Sequence, residues 1–403
     1  MKLRLILLAL IFVPAASVWA ERIAIWPDLA PGETVKQEGV ALPSRNADRP
    51  PITRVEKITQ PTMEAYLPEG GGNGAAVLVL PGGGFGYVVP DLEGSETAAF
   101  LNPLGISVFV LSYRTKLGKE AELWRRPLQD SQRAIRFLRK NADRWGLDPA
   151  KIGLLAFSAG GQVGAVHIGE IGDAYDGIDA LDELSARPDF AMLVYPWNVA
   201  DNASGKLMDA IKLGKSAPPT FLVHTDDDKS SALGAAAIYM ELKKAGVSAE
   251  LHVYQNGGHG YGTRDREGSV IGTWKDRAAD WLRLRGLAST PDPGGAMKVV
   301  PDGNYLVNIE KPNGVKKLLN YQIVDGTAVC VKASSPDSVG LRGTFEYVED
   351  GVFKIFVSND QHRGTNIWKF HPDGIADVKE IPDRGEMQQA VPVVGETLKY
   401  PAG

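Results

Sequence analysis

From about residue 75 to residue 286, short β-branched runs alternate with segments of helical period, the pattern of a parallel sheet covered on both faces. The runs at 76–80, 106–112, 152–157, 190–195, 220–224 and 250–254 are the predicted strands. In the clearest helical stretch Leu128, Ser131, Ile135, Leu138, Ala142 and Trp145 recur at spacings of three and four. That spacing puts them on one face, with Lys and Arg filling the other.

The pattern changes after Gly286. Residues 288–296, ASTPDPGGA, combine Pro, Gly and small polar residues and read as a linker. From Met297 on, turn dipeptides recur as Asp302-Gly303, Asn313-Gly314, Asp325-Gly326, Asp350-Gly351 and Asp373-Gly374, and Phe353, Ile355 and Val357 alternate with Lys354, Phe356 and Ser358. That describes a small antiparallel β domain over 297–403, a sandwich or a barrel. At the other end Lys2 and Arg4 precede an apolar run from Leu5 to Val13, and Val18 and Ala20 stand where a leader is cut. The run is shorter than the ~20 residues a bilayer span needs. The expected organisation is a signal peptide over 1–20, a catalytic domain over 21–287, the linker 288–296 and the β domain. The fold class is α/β, a doubly wound and mostly parallel sheet, with a second, antiparallel domain; 403 residues exceed a comfortable single core.

Composition narrows the function classes. At 44% hydrophobic and 23% charged residues the chain is an ordinary globular sequence. Loss of Lys2 and Arg4 with the leader takes the formal charge from −5 to −7, which excludes a nucleic-acid partner, and no membrane association is expected after cleavage. The single cysteine, Cys330, has no partner for a disulfide within the chain and reads as core.

The chemistry begins at Phe157-Ser158-Ala159-Gly160-Gly161, between a predicted strand and a segment that can start a helix. A serine on such a corner is thrust above the sheet, and small neighbours keep the turn from clashing. A variant of G-x-S-x-G alone is a weak signal, and a helix-capping serine is its bland alternative. Chain order adds the rest: His224-Thr225-Asp226-Asp227-Asp228-Lys229 and Gly257-Gly258-His259-Gly260 each follow a predicted strand, where open α/β sheets place their sites. A hydroxyl needs an imidazole to take its proton, and the imidazole needs a carboxylate to hold its tautomer. His259 is the base, Asp228 the first choice of acid and Asp227 the runner-up; His167, His224, His252, His362 and His371 read as structural. Upstream, Pro81-Gly82-Gly83-Gly84-Phe85-Gly86 follows a strand and lacks the endings of phosphate-binding loops. Gly83, Gly84 and Ala159 are therefore the candidate oxyanion donors. Phe85 and Tyr87 are candidate walls of a substrate pocket.

With these motifs the chain resembles the α/β-hydrolase superfamily and, within it, the secreted bacterial acetyl xylan esterase-like enzymes grouped with feruloyl esterases and polysaccharide deacetylases. The matching stretches are LPGGGFGYVVPDLEG, VFVLSYR, PLQDSQRAIRFLRKNADRWGLDPAKIGLLAFSAGG, PPTFLVHTDDDKS and AELHVYQNGGHGYG, within roughly 60–285. The resemblance implies a nucleophile at Ser158, an acid at Asp228, a base at His259 and an oxyanion loop over 81–84. It also implies an acylated carbohydrate or other small ester as substrate, with no cofactor. Two positions depart from the pattern: Ala156 replaces the first elbow glycine, and Ser230-Ser231-Ala232 stands where Val-Pro often follows the acid.

Other readings remain. Tyr305, Tyr321, Phe345, Tyr347, Trp368 and Phe370 could form a sugar-stacking face of a non-catalytic binding protein, although such aromatics are more often core. A metal-dependent deacetylase lacks a closely spaced ligand set, and a peptidase of the prolyl-oligopeptidase kind lacks its screening propeller. The short segment 169–189 leaves little chain for a cap over the serine, whereas 197–219 is long enough for a lid. Acetyl is the expected acyl group.

Overall fold

The computed structural model describes residues 22–289 except 47, 49 and 171. It also describes the backbone of eight strands between 303 and 392, with the side chains of Tyr321, Ile323, Thr327 and Trp368. The leader, most of the linker, the turn dipeptides apart from Gly303, His362, His371 and the Cys330 side chain lie outside the described residues. The chain divides into two compact units, Met1–Ser289 and Thr290–Gly403.

The first unit is built on eleven strands: β1 Arg22–Ala24, β2 Val40–Ala41, β3 Val55–Glu56, β4 Thr62–Tyr66, β5 Ala76–Leu80, β6 Tyr87–Val88, β7 Ser107–Ser112, β8 Ile152–Phe157, β9 Ala191–Val194, β10 Thr220–Thr225 and β11 Ala249–Tyr254. Eight of them form one sheet in the order β1-β4-β7-β5-β8-β9-β10-β11, and β2, β3 and β6 make a small separate sheet. The order reverses at β5: β7 lies on one side and β8 on the other, both parallel to it; at the far edge β4 pairs antiparallel with β7 and β1 antiparallel with β4. That reversal opens a crevice at the carboxyl ends of β5 and β8. The predicted strands all form, with ends shifted by a residue at most; β1, β2, β3 and β6, of two or three residues each, are too short to show a period, and β4, Thr-Met-Glu-Ala-Tyr, lacks an apolar run.

Five helices cover the sheet: α1 Glu96–Leu101, α2 Arg125–Lys140, α3 Ser158–His167, α4 Leu233–Lys244 and α5 Trp274–Leu284. Both faces are dry. Leu78, Leu80, Leu154 and Leu193 pack with Leu128, Ile135, Val163 and Ile238 on one side. Val77, Val79, Leu155 and Phe157 pack with Leu101, Trp274 and Trp281 on the other. Two covered faces explain why these strands read as unbroken apolar runs. The basic face of α2 is partly buried: Arg133 and Arg136 are covered, paired with Asp179 and Asp182 and with Asp173. They clamp the 169–189 segment onto α2, and the paired carboxylates are what let the guanidiniums sit there.

The second unit is a closed antiparallel barrel of strands Gly303–Glu310, Lys316–Val324, Thr327–Lys332, Leu341–Glu349, Val352–Ser358, Arg363–Phe370, Ala376–Ile381 and Gln388–Pro392. Each strand pairs with its neighbour in sequence, and the first closes on the last. Closure removes free sheet edges. Tyr321 and Trp368 are buried and meet edge to face at 5.0 Å, so these two aromatics are core and not a sugar platform.

Candidate active site

The backbone leaves β8 in an extended conformation at Phe157 and turns at Ser158 with a φ of 51°. A non-glycine residue there is strained, and the strain is held by what surrounds it. A Cβ at Gly160 would lie 2.1 Å from the Leu80 carbonyl oxygen, and one at Gly161 2.8 Å from Pro196 Cα. Only glycine fits at either position. The missing glycine at 156 is answered in the second turn of α3: a Cβ at Gly164 would fall 2.9 Å from the Ala156 methyl and 2.9 Å from Leu193 Cδ2. The small residue has moved from the strand to the helix facing it.

Three loops bring the remaining groups to Ser158. The Ser158 hydroxyl lies 2.7 Å from His259 Nε2, and His259 Nδ1 lies 2.6 Å from Asp228 Oδ2. Asp228 is buried; burial alone would raise its carboxyl, but the hydrogen bonds from His259 and from the Ser230 N–H, at 2.8 Å, hold it below the usual range. The imidazole is 35% exposed, open to a substrate on the side away from Asp228. Asp227 also contributes. Its carboxylate accepts the N–H groups of Gly258 at 2.8 Å and Gly257 at 3.2 Å, which depresses its own pKa and ties the acid loop to the histidine loop. Of the three consecutive aspartates, only Asp226 has no side-chain hydrogen bond among the described residues.

A cleft of about 780 Å³ opens above the serine. Ser158, His259, Asp228, Gly83 and Gly84 line it, together with Tyr87, Trp197, Ile52, Arg54 and the 198–202 stretch. Gly83 and Gly84 have φ values of 131° and 60°, and a Cβ on Gly83 would collide with the Tyr87 carbonyl at 2.0 Å. Among the described residues their N–H groups donate to nothing. Ala159, buried, opens the first turn of α3, where amides have no partner within the helix. Tyr87 lines the cleft as expected. Phe85 does not: with a φ of 62° in the glycine-rich turn its ring is turned into the core, 1% exposed, behind Trp197 at 6.4 Å. The expectation that Phe85 walls the pocket is therefore corrected, and Trp197 takes that place. The 197–219 loop is a wall of the cleft, fixed by Gln162, whose amide donates to the Asn198 carbonyl at 2.9 Å, and by the buried Val199, Ile211 and Ala217.

Comparison with known proteins points the same way. The BD-FAE family model matches residues 63–174. An acetylxylan esterase of Xylanibacter ruminicola is 26% identical over 72% of this chain and 62% of its own length. The endo-1,4-beta-xylanase B of Butyrivibrio fibrisolvens is 29% identical over 50% of this chain and 34% of its own. The chain thus spans less than two thirds of either curated relative. The crystal structure of the acetyl ester-xyloside bifunctional hydrolase from Caldicellulosiruptor lactoaceticus superposes with a TM-score of 0.53 at 27% identity, covering 66% of this chain and 97% of that one. The chain has the α/β-hydrolase fold and is similar to acetyl xylan esterases.

Sequence reasoning leaves out three residues of this site. Glu93 is 4% exposed and faces the cleft floor. Tyr195, just past β9, packs at a tilt with its ring centre 4.9 Å from that of His259. Trp197 follows two residues later. Tyr195 and Trp197 flank the predicted strand end in Tyr-Pro-Trp, a signal that carboxyl-end geometry could have exposed; Glu93, in a polar-looking Asp-Leu-Glu-Gly stretch, carries none. Among the described residues no group of three or more His, Cys, Asp or Glu is placed to hold a metal ion.

Proposed function

We propose that this α/β-hydrolase is an exported serine carboxylic-ester hydrolase that removes acetyl groups from plant or algal polysaccharide or oligosaccharide through an acyl-enzyme on Ser158. The observation that carries the reading is the continuous hydrogen-bonded line from Asp228 through His259 to Ser158, ending in an open cleft. In this scheme Nε2 of His259 takes the hydroxyl proton as Ser158 Oγ attacks the acyl carbonyl. Asp228 keeps the proton on Nδ1 and stabilises the imidazolium. The N–H groups of Gly83, Gly84 and Ala159 receive the developing oxyanion, and removal of one such donor typically costs ~3 kcal/mol of transition-state stabilisation. The imidazolium then protonates the departing sugar hydroxyl, and a water activated by His259 releases acetate.

The similarity to an acetylxylan esterase and to an acetyl ester-xyloside hydrolase supports a carbohydrate ester. So does the cleft, which needs little depth for an acetyl group and offers the Tyr87 and Trp197 rings to a sugar. Those rings also support a second reading, an aromatic acyl group such as feruloyl. The Lys2, Arg4 and 5–13 pattern supports export. The test is acetate and ferulate release from defined decorated oligosaccharides. Acetate release abolished by Ser158→Ala is expected, with rates falling from acetyl through butyryl to octanoyl esters. A profile peaking at octanoyl, or higher kcat/KM for methyl ferulate than for acetylated sugars, would overturn the acetyl assignment.

A further inference from the structure

Acyl transfer leaves one buried acid of the site without a task. Glu93 lies in the wide turn Asp91–Ser95, where its φ of −109° and ψ of 20° depart from helical values. Such turns are rare and aim a side chain where regular helix would not. Oε2 of Glu93 accepts the Gly82 N–H at 2.7 Å, and Oε1 accepts the Tyr195 hydroxyl at 2.8 Å. Gly82 directly precedes the candidate oxyanion donors. The Tyr195 hydroxyl in turn accepts the Gly262 N–H at 2.8 Å, three residues beyond His259. The carboxyl is also wedged close to the nucleophile: a Cβ on Gly82 would meet Glu93 Oε2 at 2.5 Å and Ser158 Cβ at 2.7 Å.

Stability alone does not account for an acid here. Burial pushes its pKa up, against hydrogen bonds from Tyr195 and Gly82 and the nearby His259. An apolar group of the same volume would avoid the cost of desolvating a carboxyl with no cation paired to it among the described residues. What an apolar group could not do is accept from two different loops at once.

We infer that Glu93 is a positioning residue that holds the oxyanion loop and the histidine loop at a fixed separation, one carboxyl oxygen on Gly82 and the other reaching the histidine loop through Tyr195. Its meaning for catalysis rests on the esterase reading; the positioning itself does not. Oxyanion donors and base must act on one tetrahedral centre, and a misplacement of about 1 Å costs on the order of 100-fold in rate. Glutamine at 93 keeps the shape but offers a single acceptor oxygen, so one of the two donors faces an NH2 group.

The test compares Glu93→Gln, Tyr195→Phe and the double variant, by ester kinetics and by hydrogen exchange of the full chain. Glu93→Gln is expected to lower kcat on the order of 100-fold with KM within about twofold. Tyr195→Phe, which retains the ring, is expected to lower kcat about tenfold, and the double variant to lose less than the product of the two because they share one relay. In Glu93→Gln, peptides spanning 81–88 and 257–264 should both exchange faster, with β5 and β8 unchanged. Unaltered exchange in either loop, faster exchange throughout the chain, or a Glu93→Gln kcat within threefold of wild type would overturn the inference. A wild-type protein inert toward every ester, with both loops loosened in Glu93→Gln, would remove the esterase reading and leave the positioning role intact.

Discussion

The two sides of the site are held in place by different physics. The serine side is fixed by exclusion: Gly160 and Gly161 sit where no Cβ fits, and the positive φ of Ser158 survives because the packed strand and helix permit nothing else. The histidine side is fixed by hydrogen bonds, from the glycine amides to Asp227, from Gly262 to Tyr195 and from Arg266 to the Gly260 carbonyl at 2.9 Å. A hard-packed support fails abruptly and takes the fold with it. A hydrogen-bonded support yields by degrees, and the moving partner of a proton-transfer pair is the one that can use that compliance.

The comparison can be tested from its extremes inward. Ser158→Ala and His259→Ala should each lower kcat by at least about 10⁴-fold, with circular dichroism unchanged, since either loss disables the whole unit. Retention by Ser158→Ala of more than a tenth of the wild-type rate would remove the nucleophile assignment. Asp228→Asn should follow at about 10³- to 10⁴-fold, through the wrong imidazole tautomer. If Asp227→Asn proved the more crippling change, the acid would be 227.

Gly160→Ala probes the serine side alone. It should cost about 3 kcal/mol of stability in urea titrations and lower activity in step, because the methyl must displace the Leu80 carbonyl. Asp227→Asn probes the histidine side and should lower kcat about tenfold while costing about 1 kcal/mol of stability, well below the loss in Gly160→Ala. Equal stability losses in the two variants would erase the distinction drawn here.

The smallest effect concerns the far end of the serine helix. His167 is buried between the Ser131 hydroxyl and the Ala186 carbonyl, and burial pushes its pKa down to about 4 from 6.5. The unfolded chain therefore takes up a proton below about pH 6.5 that the folded chain refuses until about pH 4. Stability contributed by the neutral ring is present above pH 6.5 and is lost as the pH falls toward 4. His167→Gln should flatten the decline in urea midpoint between pH 7 and 4.5; an unchanged slope would assign the acid sensitivity elsewhere.

How much of this is legible in the sequence depends on how local each signal is. The central strands are legible because two buried faces impose long apolar runs, and Ser158, Asp228 and His259 because each follows a predicted strand at the carboxyl end of the sheet. Phe85 misleads since its direction is set by one backbone angle, which composition does not encode. Glu93 and Tyr195 lie 102 residues apart, and no spacing rule joins two polar residues that meet only after the sheet has closed. The burial of Arg133 and Arg136 is not legible because their partner carboxylates come from a distant segment, Asp173, Asp179 and Asp182.

The exchange of small residues between Ala156 and Gly164 carries a consequence for how this scaffold can change over generations. Alanine at 164 is forbidden while alanine stands at 156, and glycine at 156 alone trades the contact for a void beneath the nucleophile. Removing the Ala156 methyl does not by itself admit one at 164, because Leu193 Cδ2 would still lie 2.9 Å from it. Gly164→Ala should therefore be harmful in the present background and become less so only as Ala156→Gly and a repacked Leu193 make room together. The elbow, the helix and the neighbouring strand are bound to change as a set.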